Sequence, residues 1–116
     1  MEYKFEKLDK ILKISLEGRF VAAVIDDFKN ALSKWIPENK YLLFDLSKMN
    51  YIDSSGLGIL ISVLQTINEA GGSMNVAAVQ PRPRIIFDIT KVYRVLNIFD
   101  DVDSALKSLQ KEIAED

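Results

Sequence analysis

A nearly continuous apolar run lies near the middle of the chain, Tyr41-Leu42-Leu43-Phe44-Asp45-Leu46, and polar residues bound it on both sides. A strand with one solvated face would show a polar residue at every second position, whereas this run contains only Asp45. Strands that are covered on both faces typically have such continuous apolar sequences. The run therefore predicts a strand that is buried on both faces.

Toward the N-terminus, the sequence predicts two strands joined by a hairpin, followed by a helix. Apolar and polar residues alternate over residues 3–6 and 12–17, as they do in strands, and residues 8–10 suit a hairpin connection. We expect Gly18 to close the second strand and Pro37 to end the helix. The helix is indicated by apolar residues at helical spacing. These residues are Val21, Val24, Phe28, Leu32 and Trp35.

Toward the C-terminus, helix and strand patterns continue to alternate. A second helix is expected to end at Gly71-Gly72, and residues 74–79 predict the next strand. Pro83 suits the first turn of a short third helix, and residues 98–99 predict a brief last strand. Asp101 and Asp103 suit the start of a final helix. The apolar stripe of the second helix contains Leu57, Leu60, Ile61, Leu64 and Ile67.

This alternation predicts a single α/β domain over residues 1–116, with a mixed sheet of four to five strands covered by about four amphipathic helices. Helical crossovers should make the later strands parallel. Open α/β sheets tend to bind their ligands outside the carboxyl ends of the strands. We therefore expect residues 18–21, 49–55 and 80–83 to gather at one end of the sheet.

The composition excludes several classes of function. The chain has no cysteine and no histidine, which excludes disulfides, thiolate nucleophiles, zinc sites built on these residues and a Ser-His-Asp triad. The net charge of -2 does not favour nucleic acid or an anionic membrane as a direct partner. The sequence shows neither a signal peptide nor an apolar run of the roughly 20 residues that span a bilayer. We expect a cytoplasmic protein without a metal or cofactor.

One segment carries the functional signal, Asp53-Ser54-Ser55-Gly56-Leu57-Gly58, between the buried strand and the second helix. Ser54 or Ser55 is expected to be the helix N-cap, because a hydroxyl can accept a hydrogen bond from a first-turn N–H. Glycine costs about 1 kcal/mol relative to alanine inside a helix, so Gly56 and Gly58 suggest that something approaches the backbone there. Local chemistry also allows Ser54 to be only a cap and Asp53 only a turn residue.

An enzymatic role for this segment has little chemical support. An esterase nucleophile elbow needs glycine two residues before the serine, where this chain has Ile52, and a P-loop needs Gly-Lys-Ser/Thr after its glycines. Asp53 could act as base and Ser54 as nucleophile, but an unperturbed aspartate, with a pKa of about 3.9, is a poor base at neutral pH. We expect no catalytic residue.

The segment resembles the signature of the STAS domain, specifically that of bacterial anti-sigma factor antagonists. The similarity extends over nearly the whole chain, because the buried strand, Ile52, Gly71-Gly72 and Ile86-Phe87-Asp88-Ile89-Thr90 follow in the family's order. The resemblance implies that a partner, both anti-sigma factor and serine protein kinase, phosphorylates Ser54. It also implies that the unmodified form binds this partner and frees the sigma factor. A PP2C-type phosphatase would restore the unmodified form.

The resemblance further implies where the partner docks. The implied partner-binding residues of the signature are Asp53, Ser54, Ser55, Gly56, Leu57 and Gly58. Phe20 and Val21 are added because apolar loop residues at this end could form a docking patch. They could equally staple the first helix. Many antagonists carry acidic residues in this loop, where the present chain has Arg19 and Val21.

Two alternatives stay open at this point. The domain could be an adaptor in a membrane-associated complex, such as a lipid transporter, or in a stress-signalling complex, with Ser54 unmodified.

A basic stretch, Arg82, Arg84, Lys91 and Arg94, could hold a phosphate or the acidic edge of a partner. Four charges over thirteen positions are explained more simply as a solvated face.

Overall fold

The computed structural model describes residues 1–36 and 38–115, and over these residues the chain forms a mixed sheet of five strands. The strands lie side by side in chain order, with β1 antiparallel to β2 and each later pair parallel. They are β1 (Glu2–Leu8), β2 (Ile11–Phe20), β3 (Tyr41–Ile52), β4 (Ser73–Ala77) and β5 (Asn97–Phe99). The predicted mixed sheet is confirmed.

Four α-helices cover this sheet within the described residues, as predicted. They are α1 (Ala22–Ser33), α2 (Ser54–Glu69), α3 (Pro81–Thr90) and α4 (Val102–Glu115). A short 3-10 turn, Val92–Arg94, follows α3. Within residues 1–36 and 38–115, none of the helices combines the length and apolar character needed to cross a bilayer.

The strand β3 separates two buried clusters. Leu42 and Phe44 pack with side chains of α1 and α2, whereas Tyr41 and Leu43 pack with Ala105 and other residues of α4. Successive strand side chains point to opposite faces, so helices lie on both sides of β3. The prediction that residues 41–46 form a strand buried on both faces is confirmed.

Helix α1 is held on the sheet by Phe28, whose side chain is fully buried. Its ring lies edge-on to Phe20, with 5.2 Å between the ring centroids, and also contacts Phe44. Burial of one phenylalanine contributes about 1.5–3 kcal/mol. This packing holds the middle of α1 against the end of β2.

β2 and β3 are longer than the sequence pattern predicts. Gly18 does not close β2, which continues to Phe20; instead Gly18 has a φ of 91° and lies at a shift in the β2–β3 register. Glycine adopts this left-handed conformation without strain, so the strand is irregular here rather than ended. β3 likewise continues to Ile52, so residues 49–52 are strand instead of the expected loop.

The helix ends are partly as predicted. α1 ends at Ser33, so Trp35 lies in the following turn, and the predicted terminator Pro37 lies outside the described residues. α2 ends before Gly71, which has a φ of 77°. This is the left-handed glycine expected after the helix.

Candidate functional site

The ends of β2 and β3 meet where α1 and α2 begin. Phe20 pairs with Ile52, and the backbone N–H of Asp53 donates to the carbonyl oxygen of Phe20 at 3.4 Å. β2 leads into α1 and β3 leads into α2, so two helix N-termini lie together at this end of the sheet. Residues 80–83 line a cavity here with Arg19 and residues 47–51, so the three segments are neighbours as predicted.

Asp53 is the N-cap of α2 and also holds the start of α1. Its Oδ1 accepts a hydrogen bond from the N–H of Gly56 at 2.9 Å, and its Oδ2 accepts one from the N–H of Ala22 at 3.0 Å. First-turn N–H groups have no partner within their own helix. A single carboxylate therefore satisfies donors of two helices.

The prediction that Ser54 or Ser55 caps α2 is wrong, because the cap is Asp53. The interpretation of Asp53 as only a turn residue is therefore also wrong. Asp53 has extended backbone angles, φ -104° and ψ -177°, whereas Ser54 already belongs to α2. The cap position follows from the end of β3 at Ile52, because the residue between strand and helix has the non-helical conformation that a cap requires.

Ser54 and Ser55 are the first two residues of α2, and both are exposed. Because Asp53 supplies the cap, neither hydroxyl is required to start the helix. The free N–H groups and the dipole of a helix N-terminus favour an added anion. Ser54 thus has the accessibility and the surroundings that a phosphorylated serine needs, and its modification stays a prediction.

The remaining residues of the signature differ in their surroundings. A Cβ on Gly56 would lie 2.3 Å from the carbonyl oxygen of Phe20. A Cβ on Gly58 would have no atom from another part of residues 1–36 and 38–115 within 4 Å. The expected close approach to the backbone therefore exists at Gly56, where the approaching group belongs to β2. Leu57 is buried, so of these three residues only Gly58 is exposed to a partner.

Phe20 does not form a surface patch. It is the last residue of β2 and is fully buried against Phe28, while Val21 is half-buried at the N-cap position of α1. The prediction that Phe20 presents an apolar side chain to a partner is therefore wrong. Its ring packs on Phe28, the seventh residue of α1, so it belongs to the core beneath that helix. The staple at the start of α1 stays a prediction.

Hydrogen bonds lower the pKa of Asp53 below its ordinary value. The N–H of Gly56 contributes most, partial burial opposes it, and the N–H of Ala22 adds to the lowering. Backbone N–H groups stabilise the ionised carboxylate, which is the form that accepts both bonds. Asp53 is consequently a weaker base than an ordinary aspartate, which disfavours a catalytic Asp53–Ser54 pair.

The lowered pKa predicts that Asp53 makes stability depend on pH. Its contribution is fully present above the unfolded-state pKa of about 3.9 and is lost as the pH falls through the lower folded-state pKa. In urea unfolding measured from about pH 6 to about pH 2, the Asp53→Asn variant should lose less stability than the wild type. Asp88→Asn removes an exposed carboxylate of α3 and controls for net charge. Parallel curves for wild type and Asp53→Asn would contradict the prediction.

Three cations surround the cavity between β3 and α3. The guanidinium of Arg19 lies 4.3 Å from the ring centroid of Tyr51, and Lys48 and Arg82 line the same cavity. The sequence pattern drew attention to Arg19 and Arg82 separately and missed Lys48. These residues belong to three segments, so only the tertiary structure brings them together.

Residues 2–105 match the family model of the STAS domain. The anti-sigma F factor antagonist of Paenibacillus polymyxa is 30% identical over 112 residues, covering 95% of this chain and 96% of the relative. The crystal structure of an anti-sigma factor antagonist from Mycobacterium paratuberculosis has a TM-score of 0.85 at 21% identity, covering 94% of this chain and 93% of that one. The structure of the Bacillus cell fate determinant SpoIIAA in its phosphorylated form has a TM-score of 0.72 at 14% identity. The match covers 92% of this chain and 98% of that one.

The family match extends from β1 into α4 and includes the strand-to-helix junction at Asp53. The mixed sheet and the helices on both of its faces agree with the solved structures of similar fold. The chain belongs to the STAS domain family.

Proposed function

We propose that residues 1–116 form one cytoplasmic STAS domain that acts as an anti-sigma factor antagonist. Its unmodified form binds an anti-sigma factor that is also a serine protein kinase, and phosphorylation of Ser54 ends this binding. The observation that carries the proposal is the exposed Ser54 at the first position of α2, with the cap supplied by Asp53. The similarity to an anti-sigma F factor antagonist over 95% of the chain supports the partner class.

The switch acts on the surface and leaves the fold intact. A phosphate adds about -1.5 to -2 charges, and the N-terminus of α2 favours an anion at this position. The cap of α2 does not depend on the Ser54 hydroxyl, so phosphorylation does not remove it. A docked partner instead meets a dianion beside the carboxylate of Asp53, and repulsion and desolvation weaken the complex. The phosphorylated Bacillus protein has the same fold, which supports this arrangement.

The domain works by binding, with no reaction of its own. A Ser54 nucleophile would need a general base, and the chain has no histidine while the pKa of Asp53 is lowered. A PP2C-type phosphatase returns the phosphorylated protein to the binding form. This completes a cycle in which the kinase and the phosphatase set the fraction of antagonist that can bind.

Phosphopeptide mass spectrometry of the protein from its native cells tests the proposal. The informative tryptic fragment runs from Met49 to Arg84, because Pro83 protects the bond after Arg82. Fragmentation must place the phosphate among its hydroxyls, which belong to Tyr51, Ser54, Ser55, Ser62, Thr66 and Ser73. We expect the phosphate on Ser54. Its absence across growth and stress conditions, with the peptide well detected, would favour the adaptor function.

Variants of Ser54 separate binding from folding. Ser54→Asp should lose binding to the kinase partner while retaining the wild-type circular dichroism spectrum, because an acidic residue is compatible with the first turn of α2. Ser54→Ala should bind but accept no phosphate, and Ser55→Ala is the matched control that should still be phosphorylated. Equal phosphorylation of wild type and Ser54→Ala would exclude Ser54 as the acceptor.

A further inference from the structure

The cavity between β3 and α3 has a volume of about 490 Å³ and is lined by positive charge. Arg19, Lys48 and Arg82 line it, and no carboxylate of residues 1–36 or 38–115 does. The whole chain has 15 basic and 17 acidic residues, so this imbalance does not follow from the composition. Tyr51 also lines the cavity and lies three positions before Ser54, at most about 11 Å away along the chain.

The position of Arg82 opposes the stability of its own helix. It lies in the first turn of α3, which contains no acidic residue, and Arg84 follows it. The positive end of a helix dipole disfavours cations. A residue that lowers local stability without a structural gain is typical of a functional site.

An apolar strip begins one turn beyond the cavity. Ile85 is 57% exposed and Ile89 is 71% exposed, although large apolar residues on a helix usually face the core. Residues three and seven positions apart share one face of a helix, so Arg82, Ile85 and Ile89 form a continuous surface. Exposed apolar surface next to charged groups marks sites of protein interaction.

We propose that this surface docks an acidic amphipathic segment of a protein partner. Carboxylates of the segment lie against Arg19, Lys48 and Arg82, and its apolar side chains lie on Ile85 and Ile89. The three basic side chains are themselves exposed, whereas a small-molecule site encloses most of its ligand, so the surface suits a macromolecule. This inference rests on the proposed function and specifies the chemistry of the partner's docking segment.

The test is an NMR titration of the ¹⁵N-labelled, unphosphorylated protein with a short peptide built from leucine and glutamate at helical spacing. We expect saturable shifts at Arg19, Lys48, Tyr51 and residues 82–89. The matched peptide with lysine in place of glutamate should not bind. Shifts that map elsewhere, or equal binding of both peptides, would overturn the proposal. Concentration-dependent shifts at this surface without peptide would also overturn it, because they would assign the surface to a second copy of the chain.

Two sets of variants sharpen the test. Neutralising Arg19 and Arg82 together, as Arg19→Ser and Arg82→Ser, should weaken binding roughly three- to tenfold. The control replaces Lys10 and Lys111 by serine, with the same change in net charge; Lys10 lies in the β1–β2 turn, at the opposite end of β2 from Arg19. Equal loss in both double variants would overturn the proposal.

An apolar variant gives an independent readout. Ile89→Ser alters an exposed residue, so it should fold normally and weaken binding, and unchanged binding would contradict the docking role of α3. The titration needs no phosphorylation. Its failure therefore rejects this docking surface and leaves the Ser54 switch to be decided by mass spectrometry.

Discussion

Replacement of Gly56 by alanine is expected to lower the free energy of unfolding by about 3 kcal/mol. A Cβ at this position would lie 2.3 Å from the carbonyl oxygen of Phe20, 2.9 Å from the Phe20 ring and 3.0 Å from Ile52. The nearest atom belongs to the backbone of β2 and cannot rotate away as a side chain would. Relief of the overlap would require α2 to move away from the β2–β3 junction.

Gly58 provides the matched control in the same helix. It is exposed, and among the residues that the structure describes a Cβ there would meet no atom of another segment within 4 Å. Gly58→Ala should therefore raise the free energy of unfolding, by up to about 1 kcal/mol, because alanine has the higher helix propensity. Urea unfolding followed by circular dichroism measures both variants. If both variants changed the free energy of unfolding by similar amounts in the same direction, the close approach of β2 to Gly56 would be contradicted.

Replacement of Asp53 by alanine is expected to cost about 2 kcal/mol of stability at neutral pH. The variant removes the acceptor for the N–H of Gly56 in α2 and for the N–H of Ala22 in α1. Loss of an ordinary cap affects one helix, whereas this loss affects the starts of two. Denaturant unfolding at pH 7 gives the free-energy difference.

Ser54→Ala is the control for the capping assignment. Ser54 is exposed and is not the cap, so its replacement should change stability by less than about 0.5 kcal/mol. If Ser54→Ala were as destabilising as Asp53→Ala, the capping role would have to be divided between the two residues. A small effect would also allow Ser54 variants to report on partner binding alone.

The order and type of the elements could be predicted because they depend on local periodicity. The apolar run at residues 41–46 indicates a strand buried on both faces, and the structure places helices on both sides of it. The stripe over α1 follows from spacing in part, because Phe28 and Leu32 are buried as predicted. Val24 is only half-buried, and Ile25, which the predicted stripe omits, is buried instead. Such patterns are fixed by helix and strand geometry, which tertiary contacts do not alter.

The cap of α2 could not be predicted from local sequence. Asp53, Ser54 and Ser55 are all favourable N-cap residues, and the choice among them depends on where β3 ends. That end depends on pairing with β2, in which Ile52 lies beside Phe20 beyond two irregularities of register. The same pairing continues β2 past Gly18 and buries Phe20, which the local pattern places in an exposed loop.

The basic cavity depends on tertiary structure still more strongly. Arg19 comes from β2, Lys48 from β3 and Arg82 from α3. Lys48 alone resembles any exposed lysine of a strand, and Arg82 resembles part of a solvated basic face. Their shared positive charge indicates a binding surface only when the fold brings the three segments to the lining of one cavity.

The order of the strands has a consequence for biosynthesis. Each strand after β1 pairs with the strand that precedes it in the chain. No strand must be inserted between two that are already paired, and each pairing closes a shorter loop than an interleaved order would require. The sheet can therefore grow strand by strand as the chain leaves the ribosome, starting from the β1–β2 hairpin and leaving few unpaired strands waiting for a late partner.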